Sequence, residues 1–294
     1  MFCVKLAGVL IAVEACYAFT ERLCADYIVD ASPNECDFAV SATPEEVAAE
    51  NDDDAFSPAY CESLALYRKI CTRMPNHDAF LFHAAVISYA GRGFAFAAKS
   101  GTGKSTHIAQ WMRALGDNVA VVNGDKPIVR WQSGEGSAAE AGAVPDKTPD
   151  GQHTDTSCDR PSGTFVAYGT PYNGKEGWGQ NASVPLRAVC FIERCQPGET
   201  DRLSRLEDDR EIIARLANQV LLPKDPVLAL RQLELLDRLM GNVPFYVLRC
   251  TPTPAAFDAA FRMTLCDNET ESLRFKEGST CTSQVSFATS SAVR

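Results

Sequence analysis

The chain has 294 residues, of which 46% are hydrophobic and 22% are charged, and its formal net charge at pH 7 is −10. This composition is typical of a globular protein with one large domain, or one domain with an appended subdomain, and it argues against intrinsic disorder. The acidic charge excludes non-specific nucleic-acid binding, which needs clustered Lys and Arg. Because no run of 18 uncharged apolar residues occurs, we expect no membrane partner either.

The N-terminal part is expected to be strand-rich, from residue 1 to 75, and to pack on the core. The apolar run "CVKLAGVLIAV" at 3–13 resembles a secretory leader, but Glu14 interrupts the apolar segment and Lys5 is the only positive charge at its start, so a buried strand is favoured. The acidic residues from Glu50 to Asp54 indicate a solvated loop. Apolar residues at helical spacing then predict a helix over 58–73.

The middle of the chain predicts two strands, a loop, a helix and a third strand. Apolar residues favour strands at 79–89 and 94–98, joined by a turn with Gly91 and Gly93. After the loop, an amphipathic helix that Gly116 ends is indicated by apolar residues at i, i+3, i+4 and i+7, which are Ile108, Trp111, Met112 and Leu115. The segment "NVAVVNGD" predicts a short buried strand that ends in polar residues.

The remaining elements complete an α/β pattern, with a core over residues 76–266. Residues 132–163 show no periodicity and predict a flexible surface excursion, while the Ser/Thr-rich residues 267–294 predict a disordered tail. Asp225 as N-cap, Pro226 at the first helical position and Gly241 at the end mark the second of two helices. The elements in this part are a strand at 184–195, helices at 205–221 and 226–240, a strand at 243–250 and a helix from 253 to about 265.

Twelve cysteines are present, but none forms a C-x-x-C pair and no His has zinc-site spacing from them. Several lie within apolar runs, where Cys acts as a small hydrophobic residue. A chain of this length does not need disulfides for its stability. We therefore expect reduced thiols and a cytoplasmic protein.

Residues 98–105 fit the phosphate-binding loop, with Ala98 at the position of the first glycine. Gly101 and Gly103 permit a positive φ, so successive backbone N–H groups can form an anion site at the start of a helix. In this pattern Lys104 reaches the β- and γ-phosphates and the Ser105 hydroxyl binds Mg²⁺. The alternative is an ordinary glycine-rich turn, but the strand before it and the helix after it favour phosphate binding. The expected cofactors are ATP and Mg²⁺, and the preference between ATP and GTP stays open. The nucleotide-binding residues would be Ser100, Gly101, Thr102, Gly103, Lys104, Ser105 and Thr106.

Asp125 follows the strand "VAVVN", the position at which a phosphate-binding loop protein carries a carboxylate for the metal. The alternative role for this residue is a loop cap. Given the glycine-rich loop, Asp125 is expected to bind the metal together with Ser105 and to act in catalysis.

The segments "HAAVISYAGRGFAFAAKSGTGKST" and "VAVVNGDKP" resemble the kinase domain of the HPr kinase/phosphorylase family, which is related in fold to ATP-dependent phosphoenolpyruvate carboxykinase. The motifs cover about residues 80–130, and a weaker likeness in "YGTPYNGKEGWGQNASVPLRAVCFIE" extends to about 193. The resemblance implies a P-loop kinase domain with mixed β-sheets flanked by helices.

The resemblance also implies roles for single residues. Asp125 matches the second of two acidic positions, which serve as metal ligand and base, and His83 matches a histidine beside the phosphates. Without the resemblance, His83 in an apolar strand would be a core histidine. The first acidic position is Gly124 in this chain, so either one carboxylate does both tasks or another residue substitutes.

Lys175, in "TPYNGKEGWG", is a candidate for a second cation on the transferred phosphoryl group. A mobile glycine-rich loop that carries a Lys could close over the nucleotide and stabilise the developing charge. The alternative is a solvated surface lysine, and the two readings stay open.

Two functions follow from these residues. The first is an ATP- and Mg²⁺-dependent phosphotransferase whose catalytic residues are Asp125, His83 and Lys175, and whose acceptor is a hydroxyl of a protein, a peptide or a small molecule. The second, which Gly124 favours, is a nucleotide-binding regulatory protein with little catalysis. A small-molecule carboxykinase is a weaker third alternative, because its further metal-binding residues have no counterpart. The oligomeric state stays open between a monomer and a homo-oligomer.

Overall fold

The computed structural model describes residues 1–51, 56–134, 163–196 and 198–265. The surface excursion predicted at 132–163 falls, apart from its ends, outside these ranges, and the predicted tail at 267–294 falls wholly outside them. The strands are β1 (Phe2–Leu6), β2 (Val9–Glu14), β3 (Phe38–Ser41), β4 (Ala79–Leu81), β5 (Ala84–Tyr89), β6 (Arg92–Ala97), β7 (Val119–Asn123), β8 (Ile128–Ser133), β9 (Gly163–Tyr168), β10 (Ser183–Arg194), β11 (Arg202–Leu206) and β12 (Phe245–Cys250). The helices are α1 (Ala18–Leu23), α2 (Pro44–Ala48), α3 (Pro58–Arg73), α4 (Lys104–Leu115), α5 (Asp209–Leu216), α6 (Pro226–Asn242) and α7 (Ala255–Phe261).

A mixed sheet of nine strands forms the centre of the molecule. Seven strands follow the order β4-β8-β9-β10-β6-β5-β7, while β12 pairs with β10 and β11 pairs with β12. The long strand β10 is antiparallel to β9 at its start and parallel to β6 and β12 further on. The prediction of an α/β protein with mixed sheets and helices is confirmed.

Helices cover both faces of this sheet. Alternation along β6 sends Phe94 and Phe96 into the cluster that contains Trp111 of α4, whereas Ala95 and Ala97 belong to the cluster with α5 and α6. Strands buried on both faces read as continuous apolar runs, which explains why β6 and β10 were recognisable in the sequence.

The N-terminal part forms a separate sheet of three strands, β1-β2-β3. The apolar run at 3–13 is therefore a hairpin rather than one strand, and it turns at Ala7 and Gly8, whose φ angles are 49° and 79°. A third apolar cluster joins this sheet and α3 to the core through Ile128 and Tyr172. The short helices α1 and α2 were not predicted.

Four details of the predicted elements differ from the structure. The segment predicted as one strand at 79–89 breaks at Phe82 and His83, because β4 pairs with β8 whereas β5 pairs with β6 and β7. The helix predicted from residue 205 is preceded by strand β11 and starts after its N-cap Asp208. Met112, expected on the apolar face of α4, is exposed. Asp225 caps α6 as predicted, but this helix continues through Gly241 to Asn242.

No helix among the described residues has the length and apolar character needed to cross a membrane. All nine cysteines in those ranges are free, and six of them are buried.

Candidate functional site

The glycine-rich loop between β6 and α4 has the backbone conformation that its glycines suggest. The φ angles of Gly101 and Gly103 are 76° and 117°, in the left-handed region that favours glycine. A β-carbon at either position would meet no atom within 4 Å, so the backbone angle rather than a lack of space requires glycine. Helix α4 begins at Lys104, directly after the loop, and its first N–H groups have no acceptor within the helix.

Arg194, at the end of β10, holds this loop from outside. Its Nε donates to the carbonyl oxygen of Thr102 at 3.2 Å, and the same guanidinium also donates to the carbonyl oxygen of Gly101. Two loop carbonyls are thus bound to a cation. No sequence pattern indicates this contact, because Arg194 lies more than 90 residues after the loop.

Asp125 lies at the centre of the site and accepts from two side chains through one oxygen. Lys104 Nζ is 2.8 Å and His83 Nε2 is 3.2 Å from Asp125 Oδ1. Burial acts to raise the pKa of the Asp125 carboxyl, but the hydrogen bond from His83 and the charge of Lys104 outweigh it and hold the pKa well below its usual range. Three residues that the sequence singled out are therefore brought together, each from a different element.

Asn123, the last residue of β7, fixes the direction in which Asp125 points. It is fully buried, and its Oδ1 accepts from the backbone N–H groups of Asp125 at 2.9 Å and Lys126 at 2.7 Å. Its Nδ2 donates to the side-chain and backbone oxygens of Thr170, at 3.0 Å and 3.2 Å. Sequence reasoning missed Asn123, although a polar residue at the buried end of an apolar strand was a usable signal.

Gly124 has no space for a side chain. A β-carbon there would lie 2.5 Å from the backbone oxygen of Asn173 and 3.0 Å from that of Trp178, closer than real β-carbons approach such atoms. The first acidic position that the family resemblance implies is therefore closed to an acidic residue in this chain.

The atoms that close this position belong to the segment 169–182, which we call the 169–182 loop. The backbone N–H of Gly169 donates to Ala182 at 2.8 Å, and that of Gln180 donates to Val122 of β7 at 3.2 Å. Lys175 lies in an exposed turn of this loop between Gly174 and Gly177. The sequence left open whether Lys175 lies on a mobile loop or is a solvated surface lysine. In the structure the ends of the loop are hydrogen-bonded, one of them to β7, and Lys175 lies in the exposed turn between them.

Two tyrosines fasten α3 to the same loop. The rings of Tyr67 and Tyr172 stack with centroids 3.9 Å apart. Tyr67 donates its hydroxyl to the carbonyl of Lys126, and Tyr172 donates to that of Ser63, each at 2.7 Å. Burial raises the pKa of both phenols well above the usual value, so both remain protonated donors.

The glycine-rich loop, His83, Asp125 and part of the 169–182 loop line one cavity of about 860 Å³. Of the residues that the sequence singled out, only Thr102 is not on its wall; Thr102 lines a smaller neighbouring cavity of about 350 Å³ on the other side of the loop. The N-terminal part contributes Leu23 and Tyr60. Burial, followed by the charge of Asp125, raises the pKa of the Tyr60 phenol, so this hydroxyl also stays protonated at neutral pH.

The cavity is rich in cations, although the chain as a whole is acidic. Four lysines line it, and Lys104 is ion-paired with Asp125. Within the described residues, the side chains of the other three have no hydrogen-bond or ion-pair partner; these are Lys99, Lys126 and Lys175. A local excess of unpaired positive charge favours a polyanionic ligand.

The donor set suits a metal ion that takes most of its ligands from a bound nucleotide. Among the described residues, no group of three or more His, Cys, Asp or Glu side chains could hold a metal ion. Mg²⁺, however, is commonly held by one or two carboxylates together with substrate phosphates and water. Ser105 and Asp125, both on the cavity wall, fit that mode of binding.

Comparison with known proteins adds little to this picture. No family model and no curated protein matches the chain. Among solved structures, the HPr(Ser) kinase/phosphatase from Coxiella burnetii is similar to it, with 12% sequence identity and a TM-score of 0.29, over 68% of this chain and 99% of that chain.

Proposed function

We propose that the protein is an ATP- and Mg²⁺-dependent phosphotransferase of the HPr-kinase type that acts in the cytoplasm. Its acceptor is a hydroxyl group of a protein, a peptide or a small molecule. The observation that carries the proposal is the contact between Lys104, at the start of α4 after two left-handed glycines, and Asp125, which faces the same cavity.

The nucleotide-binding half of the proposal is supported by the glycine-rich loop. Backbone N–H groups at a helix start, together with a lysine, are the usual donors to a polyphosphate. The side chain of Lys104 is only 12% exposed, and its charge is already directed into the cavity. The unpaired Lys99 and Lys175 add positive charge along the same wall.

Ser105 and Asp125 would hold the Mg²⁺ ion. When bound, such an ion neutralises charge on the phosphoryl oxygens. The backbone N–H of Asp125 is held by Asn123 Oδ1, and its carboxylate lies on the cavity wall.

Asp125 also has the position of the base for the acceptor hydroxyl. Without a ligand, Lys104 and His83 keep its pKa low, which makes it a weak base. Once Lys104 turns to the phosphates, its contact with Asp125 Oδ1 is released, and that oxygen can accept from the acceptor hydroxyl. Asp125 then accepts the hydroxyl proton while the hydroxyl oxygen bonds to the γ-phosphorus and ADP leaves. His83 keeps the carboxylate oriented, and Lys175 stabilises charge on the transferred group.

A nucleotide-binding regulatory protein with little catalysis is the second candidate. Gly124 favours it, because this position cannot supply the strand-end carboxylate.

Titration calorimetry with Mg·ATP, followed by a phosphate-release assay with a hydroxyl-acceptor screen, tests the proposal. Lys104→Ala is expected to weaken binding by about tenfold or more, which corresponds to about 1.4 kcal/mol, and to abolish turnover. The matched control is Lys224→Ala, which removes an exposed lysine outside the cavity and should bind as the wild type does. Circular dichroism checks that both variants fold.

Wild-type binding without turnover on any acceptor would favour the regulatory function. Absence of Mg·ATP binding by the wild type, or unchanged turnover in Lys104→Ala, would show that the proposal is wrong.

A further inference from the structure

Gly124 raises the question of which group replaces the missing carboxylate. No acidic side chain fits at the end of β7, because the backbone oxygens of Asn173 and Trp178 occupy the space. A second carboxylate must therefore come from another element if the site has one. The 169–182 loop, which fills that space, is the nearest element.

Glu176 lies on this loop and approaches Asp125. The position of a β-carbon on Gly174 would be 3.6 Å from Glu176 Oε2, 3.1 Å from Asp125 Cβ and 3.8 Å from Asp125 Cγ. The two carboxyl groups thus approach the same point, and both residues line the cavity that contains Lys104 and Ser105.

The Glu176 carboxylate is also available. It has no hydrogen bond or ion pair within the described ranges, in contrast to Asp125, whose Oδ1 is shared by Lys104 and His83. A long, exposed side chain beside a fixed carboxylate can turn toward a cation without moving the backbone.

We propose that Glu176 is the second carboxylate of the site, and that it binds the metal ion of the nucleotide complex together with Asp125 and Ser105. In this arrangement the second carboxylate is supplied by the 169–182 loop, which occupies the space at the end of β7, and not by β7 itself. With the metal charge shared by Glu176, Asp125 keeps an oxygen free to accept the proton of the acceptor hydroxyl. The inference rests on the proposed function, because it assigns a ligand of the same metal–nucleotide site.

The test measures metal binding rather than turnover. Mn²⁺ replaces Mg²⁺, and the free ion is quantified by electron paramagnetic resonance in the presence of a non-hydrolysable ATP analogue. Glu176→Gln keeps the size of the side chain and removes its charge. We expect the affinity of the protein–analogue complex for Mn²⁺ to fall by about tenfold or more, because mutation even of residues that only hydrogen-bond to metal ligands costs about 10–100-fold in metal affinity. Affinity for the analogue in excess EDTA should stay the same or increase, because a negative charge near the phosphates has been removed.

Glu234→Gln on α6 is the matched control. It removes one exposed carboxylate outside the cavity and changes the net charge by the same amount, so its Mn²⁺ affinity should equal that of the wild type. If Glu176→Gln binds the analogue and retains wild-type Mn²⁺ affinity, this inference alone is wrong. If the wild type does not bind the analogue at all, both the inference and the proposed function are wrong.

Discussion

The backbone carbonyl of Asn173 lies against the α-carbon of Gly124, and its oxygen would be 2.5 Å from a β-carbon there. This contact explains why the residue before Asp125 is glycine. It also links the end of β7 to the 169–182 loop, so that the position of the loop and the identity of residue 124 depend on each other.

The first prediction concerns this contact. Gly124→Ala is expected to lower the free energy of unfolding by about 1–3 kcal/mol, the usual cost of overpacking, because the loop must move away from β7. Urea denaturation measures the change. Gly124→Asp should be at least as destabilising and should reduce nucleotide turnover, because the larger side chain displaces the same loop. A Gly124→Asp variant that is as stable as the wild type and faster would contradict this account.

A second prediction concerns Asn123. Asn123→Ala leaves the partly buried N–H groups of Asp125 and Lys126 without their acceptor, at a cost of about 1–3 kcal/mol in total. We expect a clear loss of stability in urea and weaker Mg·ATP binding, because Asp125 is no longer held in place. In the control Asn118→Ala, an exposed side-chain bond to the carbonyl of Leu115 is lost. That variant should change stability by less than about 0.5 kcal/mol.

Acid sensitivity is predicted from His107. This histidine is buried in α4, and its Nε2 accepts from Trp111 Nε1 at 3.0 Å. Burial lowers its pKa from 6.5 to about 4. Because the unfolded chain binds the proton more tightly, the free energy of unfolding should fall as the pH is lowered from about 6.5 to about 4, by about 3 kcal/mol in total.

Urea midpoints at pH 7 and pH 4.5 measure this effect. The Asp125 carboxyl does not contribute to it, because its pKa lies well below its usual range and the group stays ionised in the folded protein between these pH values. His107→Gln retains an acceptor for Trp111 and should remove most of the dependence. His77→Gln, which replaces a partly exposed histidine, should retain it. An unchanged pH dependence in His107→Gln would refute the assignment.

Variants of Tyr172 separate the effect of its hydrogen bond to Ser63 from the effect of its ring stack on Tyr67. Tyr172→Phe removes the hydrogen bond to Ser63 but keeps the ring stacked on Tyr67, so we expect a loss of about 1–2 kcal/mol in stability and unchanged Mg·ATP affinity. Tyr172→Ala also removes the stack and should weaken nucleotide and metal binding. Calorimetry and urea denaturation on the same samples distinguish the outcomes. Equal nucleotide affinity in both variants would mean that the stack does not position the site.

Local sequence was sufficient to indicate the glycine-rich loop, the helix that starts at Lys104 and the strand before Asp125. Each of these features depends on residues that lie within a few positions of each other. His83 was also singled out, although the break between β4 and β5 that places it was not predicted, because the break follows from which strands pair in the sheet.

The rest of the site depends on contacts between distant segments. Asn173 reaches Gly124, Glu176 approaches Asp125, and Arg194 binds the glycine-rich loop, in each case across some 50 residues or more. Periodicity and motif spacing carry no information about such contacts. The sequence therefore showed that a carboxylate was missing at residue 124, but not that the 169–182 loop closes that position.

The ring stack between Tyr67 and Tyr172 has a practical consequence for anyone who wishes to re-engineer this protein. A fragment that starts at the large sheet would keep every residue of the glycine-rich loop, yet it would lose the helix on which the 169–182 loop is supported. Grafting the site onto another scaffold therefore requires α3 as well. Helix α3 carries no sequence motif, yet it supports the loop that forms one wall of the cavity.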